Sequence, residues 1–128
     1  MDFADLFRQE QNLVTVPAGQ PVFRAGEKDG VMYVLMQGSA DILIGDTIVE
    51  SAGPGTLLGE MALIDEGERT ATVMARTECR LVAIDNKRFH FLIQQTPHFA
   101  THVMHIMADR LRRMDSKLLR AATAKKSK

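Results

Sequence analysis

The chain has 128 residues with 16 basic and 16 acidic side chains, so its formal net charge at neutral pH is zero. Hydrophobic residues make up 45% and charged residues 25%, which is typical of one globular domain with a single core. No apolar run has the length of a membrane-spanning helix, and the first residues do not resemble a signal peptide. The only cysteine, Cys79, cannot form an internal disulfide. These features predict a cytoplasmic protein.

The charge is unevenly distributed along the chain. Residues 110–128 contain eight basic side chains and one acidic side chain, whereas residues 1–109 contain eight basic and fifteen acidic ones. An acidic body repels nucleic acid, so an anion bound there must meet a local positive group. A lone arginine within that body is therefore a candidate anion ligand.

The predicted elements begin with a short helix over residues 2–9. Seven β-prone runs follow, separated by glycine and proline, and Gly45-Asp46 between two of them suits a two-residue hairpin. These runs cover 13–16, 22–24, 31–36, 41–44, 47–50, 71–75 and 80–84. Many short strands at this spacing predict a mainly β fold, an antiparallel barrel or jelly roll with flanking helices.

Two helices are predicted after the last strand, over residues 86–95 and 97–122. Thr96 caps the second helix and Pro97 occupies its first turn. Residues 1–122 thus form one predicted domain, and the basic residues 123–128 form a disordered tail. Such a tail is too short for a helix-turn-helix, so no DNA binding by this chain alone is expected.

The segment 59–72 has the most informative order of residues. Gly59-Glu60 precedes about one helical turn, over residues 61–64, and such a turn points free N–H groups at an anion. Arg69 follows ten residues later, where its planar guanidinium can hold two phosphate oxygens. Thr70 adds a hydroxyl, and Glu60 suits a sugar hydroxyl because a carboxylate repels phosphate.

Each of these residues also has a simpler interpretation. Glu60 can favour a helix N-terminus electrostatically. Arg69 can pair on the surface with Asp65, Glu66 or Glu68, as single arginines usually do. The combined order of turn, acid, short helix and arginine within a β-rich domain favours a binding site instead.

This run resembles the phosphate-binding cassette of the cyclic-nucleotide-binding domains of catabolite activator proteins, cyclic-nucleotide-dependent kinases and gated channels. The resemblance extends over residues 22–118, and it implies that Glu60 holds the ribose 2′-hydroxyl and Arg69 neutralises the cyclic phosphate. It also implies backbone or hydroxyl contacts from Gly59, Met61, Ala62, Thr70 and Ala71. The implied ligand is cyclic AMP or cyclic GMP.

The last predicted helix carries an apolar seam at alternating spacings of four and three residues. This heptad pattern predicts pairing with a second copy of the chain, while a neighbouring stripe of Phe99, Val103 and Ile106 suits docking on the chain's own barrel. In a parallel pair, Arg110 and Asp115 of opposite chains would form an ion pair. The predicted dimer interface contains Met104, Met107, Leu111, Met114 and Leu118.

The resemblance also places Met114 and Asp115 next to the purine base. An aspartate matches the guanine edge better than adenine, and Thr70 occurs in relatives that bind cyclic GMP. Family frequency nevertheless favours cyclic AMP, so both ligands stay open.

Other kinds of site find little support in the sequence. His98, His102 and His105 share a helical face but lack a fourth ligand, so no metal site is predicted. No catalytic set emerges. The sequence therefore predicts a non-enzymatic regulatory module that couples ligand binding to movement of the last helix and acts on an unknown effector protein. The alternatives are the sensor part of a truncated DNA-binding regulator of the catabolite activator type, or a dimerisation domain that binds nothing.

Overall fold

The structure, a computed structural model, has eight strands in two antiparallel sheets and four helices within the residues that it describes. It describes the backbone of residues 3–64 and 67–126 and the side chains of residues 4–63 and 67–113. The elements are α1 (Phe3–Leu6), β1 (Val14–Val16), β2 (Pro21–Phe23), β3 (Val31–Gln37), β4 (Ala40–Ile44), β5 (Thr47–Ala52), β6 (Leu57–Leu58), α2 (Met61–Ile64), β7 (Thr72–Ala75), β8 (Cys79–Asp85), α3 (Asn86–Gln95) and α4 (Pro97–Lys126).

The two sheets share one hydrophobic core. Their strand orders are β1-β8-β3-β6 and β2-β7-β4-β5, and all pairs of neighbouring strands are antiparallel. Leu35 and Leu81 of the first sheet belong to the same buried cluster as Val73 and Ala75 of the second. Alternating side chains put one face of each strand into this cluster. The predicted mainly β fold with flanking helices is therefore confirmed.

The seven predicted strands are present, with ends that differ by one or two residues. Strand β6 was not predicted, because two leucines between glycine-rich turns carry too short a pattern. The hairpin at Gly45-Asp46 is confirmed, and Gly45 has the positive φ of +60° that the turn requires. Helix α1 is shorter than the predicted span of 2–9.

The C-terminal helices start at the predicted residues. Asp85 caps α3, since its Oδ1 accepts the N–H of Arg88 at 2.8 Å. Helix α4 continues to Lys126, whereas the sequence predicts an end near 122 and a disordered tail from 123. Ala124, Lys125 and Lys126 favour helix, and no glycine or proline stops it. Residues 127 and 128 lie outside the described residues.

The chain divides into two compact units, residues 1–90 and 91–128. The first unit contains both sheets, α1, α2 and the first half of α3. The second contains the end of α3 and all of α4, in which Phe99 and Val103 are buried. None of the described helices is long and apolar enough to cross a membrane.

Within the first unit, Arg88 ties the N-terminal segment to the end of β8. Its Nη2 donates a hydrogen bond to Glu10 and its Nη1 donates one to the Ala83 carbonyl at 3.3 Å, while its guanidinium lies 5.6 Å from the centre of the Phe7 ring. The hydrogen bond from Arg88 lowers the pKa of Glu10 below its ordinary value of 4.5. A carboxyl group with a lowered pKa stabilises the folded state above the unfolded-state pKa and loses that contribution as the pH falls.

We expect Glu10→Gln to lower the free energy of unfolding by about 0.5–1 kcal/mol at pH 7, because the pair borders solvent. The difference from the parent protein should narrow as the pH falls below 4.5, because Glu10 is then protonated first in the unfolded state and only at lower pH in the folded state, whose pKa is lowered. Urea unfolding at pH 7 and pH 3.5 measures it. Glu78→Gln, at an exposed pair with Arg80, is the matched control and should change little at either pH. If Glu10→Gln lowered the free energy of unfolding by the same amount at pH 7 and pH 3.5, the ion pair would not be the cause.

Candidate functional site

Two charged side chains are buried beside the short helix α2. Glu60 is 3% exposed and Arg69 is 7% exposed, and among the described residues they are the only polar or charged ones classed as buried. Burying a charged group is unfavourable unless it is paired and hydrogen-bonded. Two buried charged side chains are therefore not explained by packing of the hydrophobic core, and they mark this place as a candidate site.

The guanidinium of Arg69 is held by three different parts of the first unit. Nη1 donates to the Gly59 carbonyl at 2.9 Å, and Nη2 donates to the Asp29 carboxylate at 2.6 Å and to the Val31 carbonyl. The carbon Cζ lies 3.9 Å from the centre of the Phe23 ring, which is a cation–π distance. The surface pairing considered for Arg69 is not what the structure shows.

Gly59 allows this close approach. Its φ is +74°, and a Cβ built on it would lie 2.2 Å from Arg69 Nη1 and 3.0 Å from Phe23 Cε2. Any larger residue would push the arginine away from the carbonyl that it contacts. The glycine therefore brings the two ends of segment 59–69 together.

The turn that was predicted to bind an anion through its N–H groups differs from the one in the structure. Helix α2 begins at Met61 and not at Gly59. The N–H groups of Ala62 and Leu63 donate to the carbonyls of Gly59 and Glu60 at 3.2 Å, so they are engaged within the turn. Arg69 is the buried positive side chain that the structure places at this site.

The other predicted binding residues lie around this pair with unequal exposure. Ala62 is buried, Ala71 is half-buried, and Met61 and Thr70 are exposed. The side chains of Met114 and Asp115, predicted to contact the base, lie outside the described residues. The structure thus brings together Gly59, Glu60 and Arg69 and leaves the contact with the base untested.

Sequence reasoning missed three residues that surround the guanidinium, namely Phe23, Asp29 and Val31. Asp29 precedes Arg69 by 40 residues, so only the path of the chain connects them. Phe23 also stacks on Tyr33, with ring centroids 6.3 Å apart. Burial raises the pKa of the Tyr33 phenol, and the nearby Asp29 carboxylate raises it further, so the ring stays neutral.

A cavity of about 300 Å³ adjoins the site. Its lining includes Lys28, Asp29, Leu63 and Asn86, while neither Glu60 nor Arg69 contributes to it. In the described part of the chain, no group of three or more His, Cys, Asp or Glu side chains is arranged to hold a metal ion. The charged side chains that the structure buries at this site are thus one guanidinium and one carboxylate.

Comparison with known proteins points to one family. The model of the family described as "Cyclic nucleotide-binding domain" matches residues 13–96. The Cyclic AMP receptor protein of Thermus thermophilus is 33% identical over 107 residues, which cover 80% of this chain and 50% of that protein. The cAMP-dependent protein kinase regulatory subunit of Eremothecium gossypii is 33% identical over 84 residues, covering 66% of this chain and 18% of that protein.

Solved structures agree with these sequence matches. The crystal structure of Thermus thermophilus catabolite activator protein has a TM-score of 0.78 and 31% identity, covering 89% of this chain and 56% of that one. A structure from work on "a cyclic-GMP-dependent signalling pathway" in bacterial phytopathogenesis has a TM-score of 0.74 and 25% identity, covering 87% of this chain and 94% of that one.

The bacterial receptor proteins in this comparison are longer than the chain, which spans about half their length. The match over residues 13–96 nevertheless covers more than half of the chain and contains the whole segment 59–72. The chain therefore belongs to the cyclic nucleotide-binding domain family.

Proposed function

We propose that the first unit binds a cyclic nucleotide through Arg69 and Glu60. Arg69 counters the charge of the cyclic phosphate, and Glu60 accepts a hydrogen bond from the ribose 2′-hydroxyl. Gly59, Met61, Ala62, Thr70 and Ala71 contribute backbone or hydroxyl contacts. The observation that carries the proposal is the burial of Glu60 and Arg69 on either side of the short helix α2 in an otherwise acidic body.

Cyclic AMP is the proposed ligand, with cyclic GMP as the alternative. Relatives that are 33–35% identical are named for cyclic AMP, including the receptor of Thermus thermophilus and a Salmonella typhimurium regulator. Thr70 and Asp115 favour cyclic GMP, and one similar structure comes from a cyclic-GMP-dependent pathway. Calorimetric titration with both nucleotides decides between them, and equal or tighter binding of cyclic GMP would reverse the preference.

The readout that we propose is helix α4, paired with a second copy of the chain. Met104 and Leu111 of the predicted seam are 62% and 60% exposed, while Phe99 and Val103 of the other stripe are buried. Met114 and Leu118, also assigned to the seam, have side chains outside the described residues. An exposed apolar seam with heptad spacing supports pairing with the same helix of a second copy.

In this proposal the chain is a regulatory module without catalytic activity, and ligand binding repositions α4 to change contacts with an effector protein. A second candidate is the sensor part of a DNA-binding transcription regulator. This candidate is favoured because the chain matches about half the length of proteins that are named global transcriptional regulators, from Salmonella typhimurium and Mycobacterium tuberculosis. A domain that only dimerises is disfavoured, because Arg69 and Glu60 are both retained.

Replacing the arginine tests the phosphate contact. We expect Arg69→Ala to weaken cyclic AMP binding about ten- to a hundred-fold, because a hydrogen-bonded charge contributes about 1.5–3 kcal/mol. Isothermal titration calorimetry measures the loss. Arg76→Ala, which removes an exposed arginine paired with Asp41, is the matched control and should keep full affinity. Unchanged affinity in Arg69→Ala would refute the proposed function.

The sugar contact is tested by changing the protein and the ligand together. In the parent protein, 2′-deoxy cyclic AMP should bind about ten-fold more weakly than cyclic AMP, because it lacks the hydroxyl that Glu60 accepts from. In Glu60→Ala the two ligands should bind equally. Competition against a fluorescent cyclic nucleotide measures all four affinities. A penalty for the deoxy ligand that survives in Glu60→Ala would remove Glu60 from this role.

The seam is tested by placing a charge on it. Leu111→Glu should weaken dimerisation at least about ten-fold, because the pairing would bury an unpaired carboxylate. His105→Glu adds the same charge at an exposed position off the seam and should leave the dimer intact. Sedimentation equilibrium measures both. A parent protein that stays monomeric at high concentration would refute the pairing itself.

A further inference from the structure

At each of the two bidentate edges of the Arg69 guanidinium, at least one N–H group is already engaged in this structure. A guanidinium presents two pairs of parallel N–H groups, one formed by Nε and Nη2 and the other by Nη1 and Nη2. Both pairs include Nη2. The two N–H groups of that nitrogen donate to the Asp29 carboxylate and to the Val31 carbonyl. A phosphate therefore cannot be held by two parallel hydrogen bonds until one of these acceptors leaves.

The donor that lacks an acceptor does not relieve this restriction. Nε of Arg69 is buried and has no hydrogen-bond partner among the described residues. Used alone, it would give a phosphate only one hydrogen bond. Its parallel neighbour is Nη2, so a two-point grip still requires that nitrogen to be released.

Asp29 is the acceptor that can leave at the lower cost. Val31 is the first residue of β3 and lies opposite Asp85 of β8, so moving its carbonyl would disturb the sheet. Asp29 lies in the loop between β2 and β3, and its side chain is 35% exposed, so its carboxylate can turn to water. It also lines the cavity of about 300 Å³ next to Lys28, which leaves room and a positive neighbour for the released group.

We propose that Asp29 is a built-in competitor for the ligand phosphate, so that binding at Arg69 is an exchange of one anion for another. This inference rests on the proposed function. While no phosphate is bound, the carboxylate balances the buried charge of Arg69, whose side chain is only 3% exposed. When the phosphate binds, it takes over that balance and frees Asp29. The affinity of the protein for the ligand then depends on how much more strongly Arg69 binds the phosphate than the Asp29 carboxylate.

The loop is well placed to register this exchange. Gly26 N–H donates to the Arg69 carbonyl at 2.8 Å, and Arg69 N–H donates to the Glu27 carbonyl at 2.7 Å. These two backbone bonds hold the loop beside the arginine while the Asp29 side chain changes partner. Asp29 Oδ1 also accepts the Val31 N–H at 3.3 Å, and release of the carboxylate would break this contact too. The β2–β3 loop is therefore the first part of the fold to respond to phosphate.

Asp29→Asn tests the competition, because it removes the charge and keeps the size and an acceptor oxygen. We expect the variant to bind cyclic AMP roughly three- to thirty-fold more tightly than the parent protein in calorimetry. Asp46→Asn, in the exposed β4–β5 turn, makes the same change in net charge and should alter the affinity by less than about two-fold. Unchanged or weaker binding by Asp29→Asn would overturn the proposal, since Asp29 would then only orient the arginine.

A second measurement separates this proposal from the proposed function. Titration with inorganic phosphate, followed by the NMR resonance of Arg69 Nε–H, should reach half-saturation at lower phosphate in Asp29→Asn than in the parent. If cyclic nucleotides do not bind but this difference is present, the competitor is supported and the proposed function is wrong. If Asp29→Asn binds neither cyclic AMP nor inorganic phosphate more tightly than the parent protein does, the proposed competition is wrong. The proposed function is then decided by whether the parent protein binds cyclic nucleotides.

Discussion

The buried positive charge of Arg69 is the constraint on which the rest of the site depends. A guanidinium that is almost fully removed from water must find acceptors for its N–H groups and a negative charge nearby. Here it finds two backbone carbonyls, one carboxylate and an aromatic face. These groups come from three stretches of the chain, so the arginine connects the end of β2, the segment 29–31 at the start of β3 and the turn before α2.

The two sheets make this convergence possible. Strand β3 lies between β8 and β6, so its first residue and the turn after β6 are both held close to one edge of the first sheet. Strand β2 pairs with β7 in the second sheet, which brings Phe23 opposite Val73, four residues after Arg69. The function that we propose therefore uses positions that the sheet pairing defines, and the short helix α2 needs little stability of its own.

The acidic body gives the arginine a further role. Seven excess negative charges over residues 1–109 would repel an anionic ligand at long range, so selectivity must come from close contact. The Asp29 carboxylate makes close contact more important still. An anion that forms only weak contacts with Arg69 gains little free energy by displacing this carboxylate. In the function that we propose, a ligand that also offers a hydroxyl to Glu60 makes contacts that inorganic anions lack. Cyclic nucleotides combine these two groups in one small molecule.

The sequence alone was sufficient to predict the mainly β fold and the start of both C-terminal helices. It also singled out segment 59–72, in which the structure buries Glu60 and Arg69. These predictions rest on local patterns, namely strand alternation, a proline and threonine at a helix start, and the ten-residue spacing of Gly59 and Arg69. The strand of two leucines, β6, carried no such pattern. The end of α4 was predicted four residues early, because alanine and lysine continue a helix as readily as they form a tail.

Only the tertiary structure decided which groups surround the guanidinium. Asp29, Val31 and Phe23 lie 38 to 46 residues before Arg69, and no spacing rule connects them to it. Their contact follows from the register of β3 with β8 and of β2 with β7, which packing of the shared core determines. Local sequence patterns therefore identify residues that can bind an anion. Which carboxylate of the protein contacts Arg69, namely that of Asp29, depends on how distant strands pair.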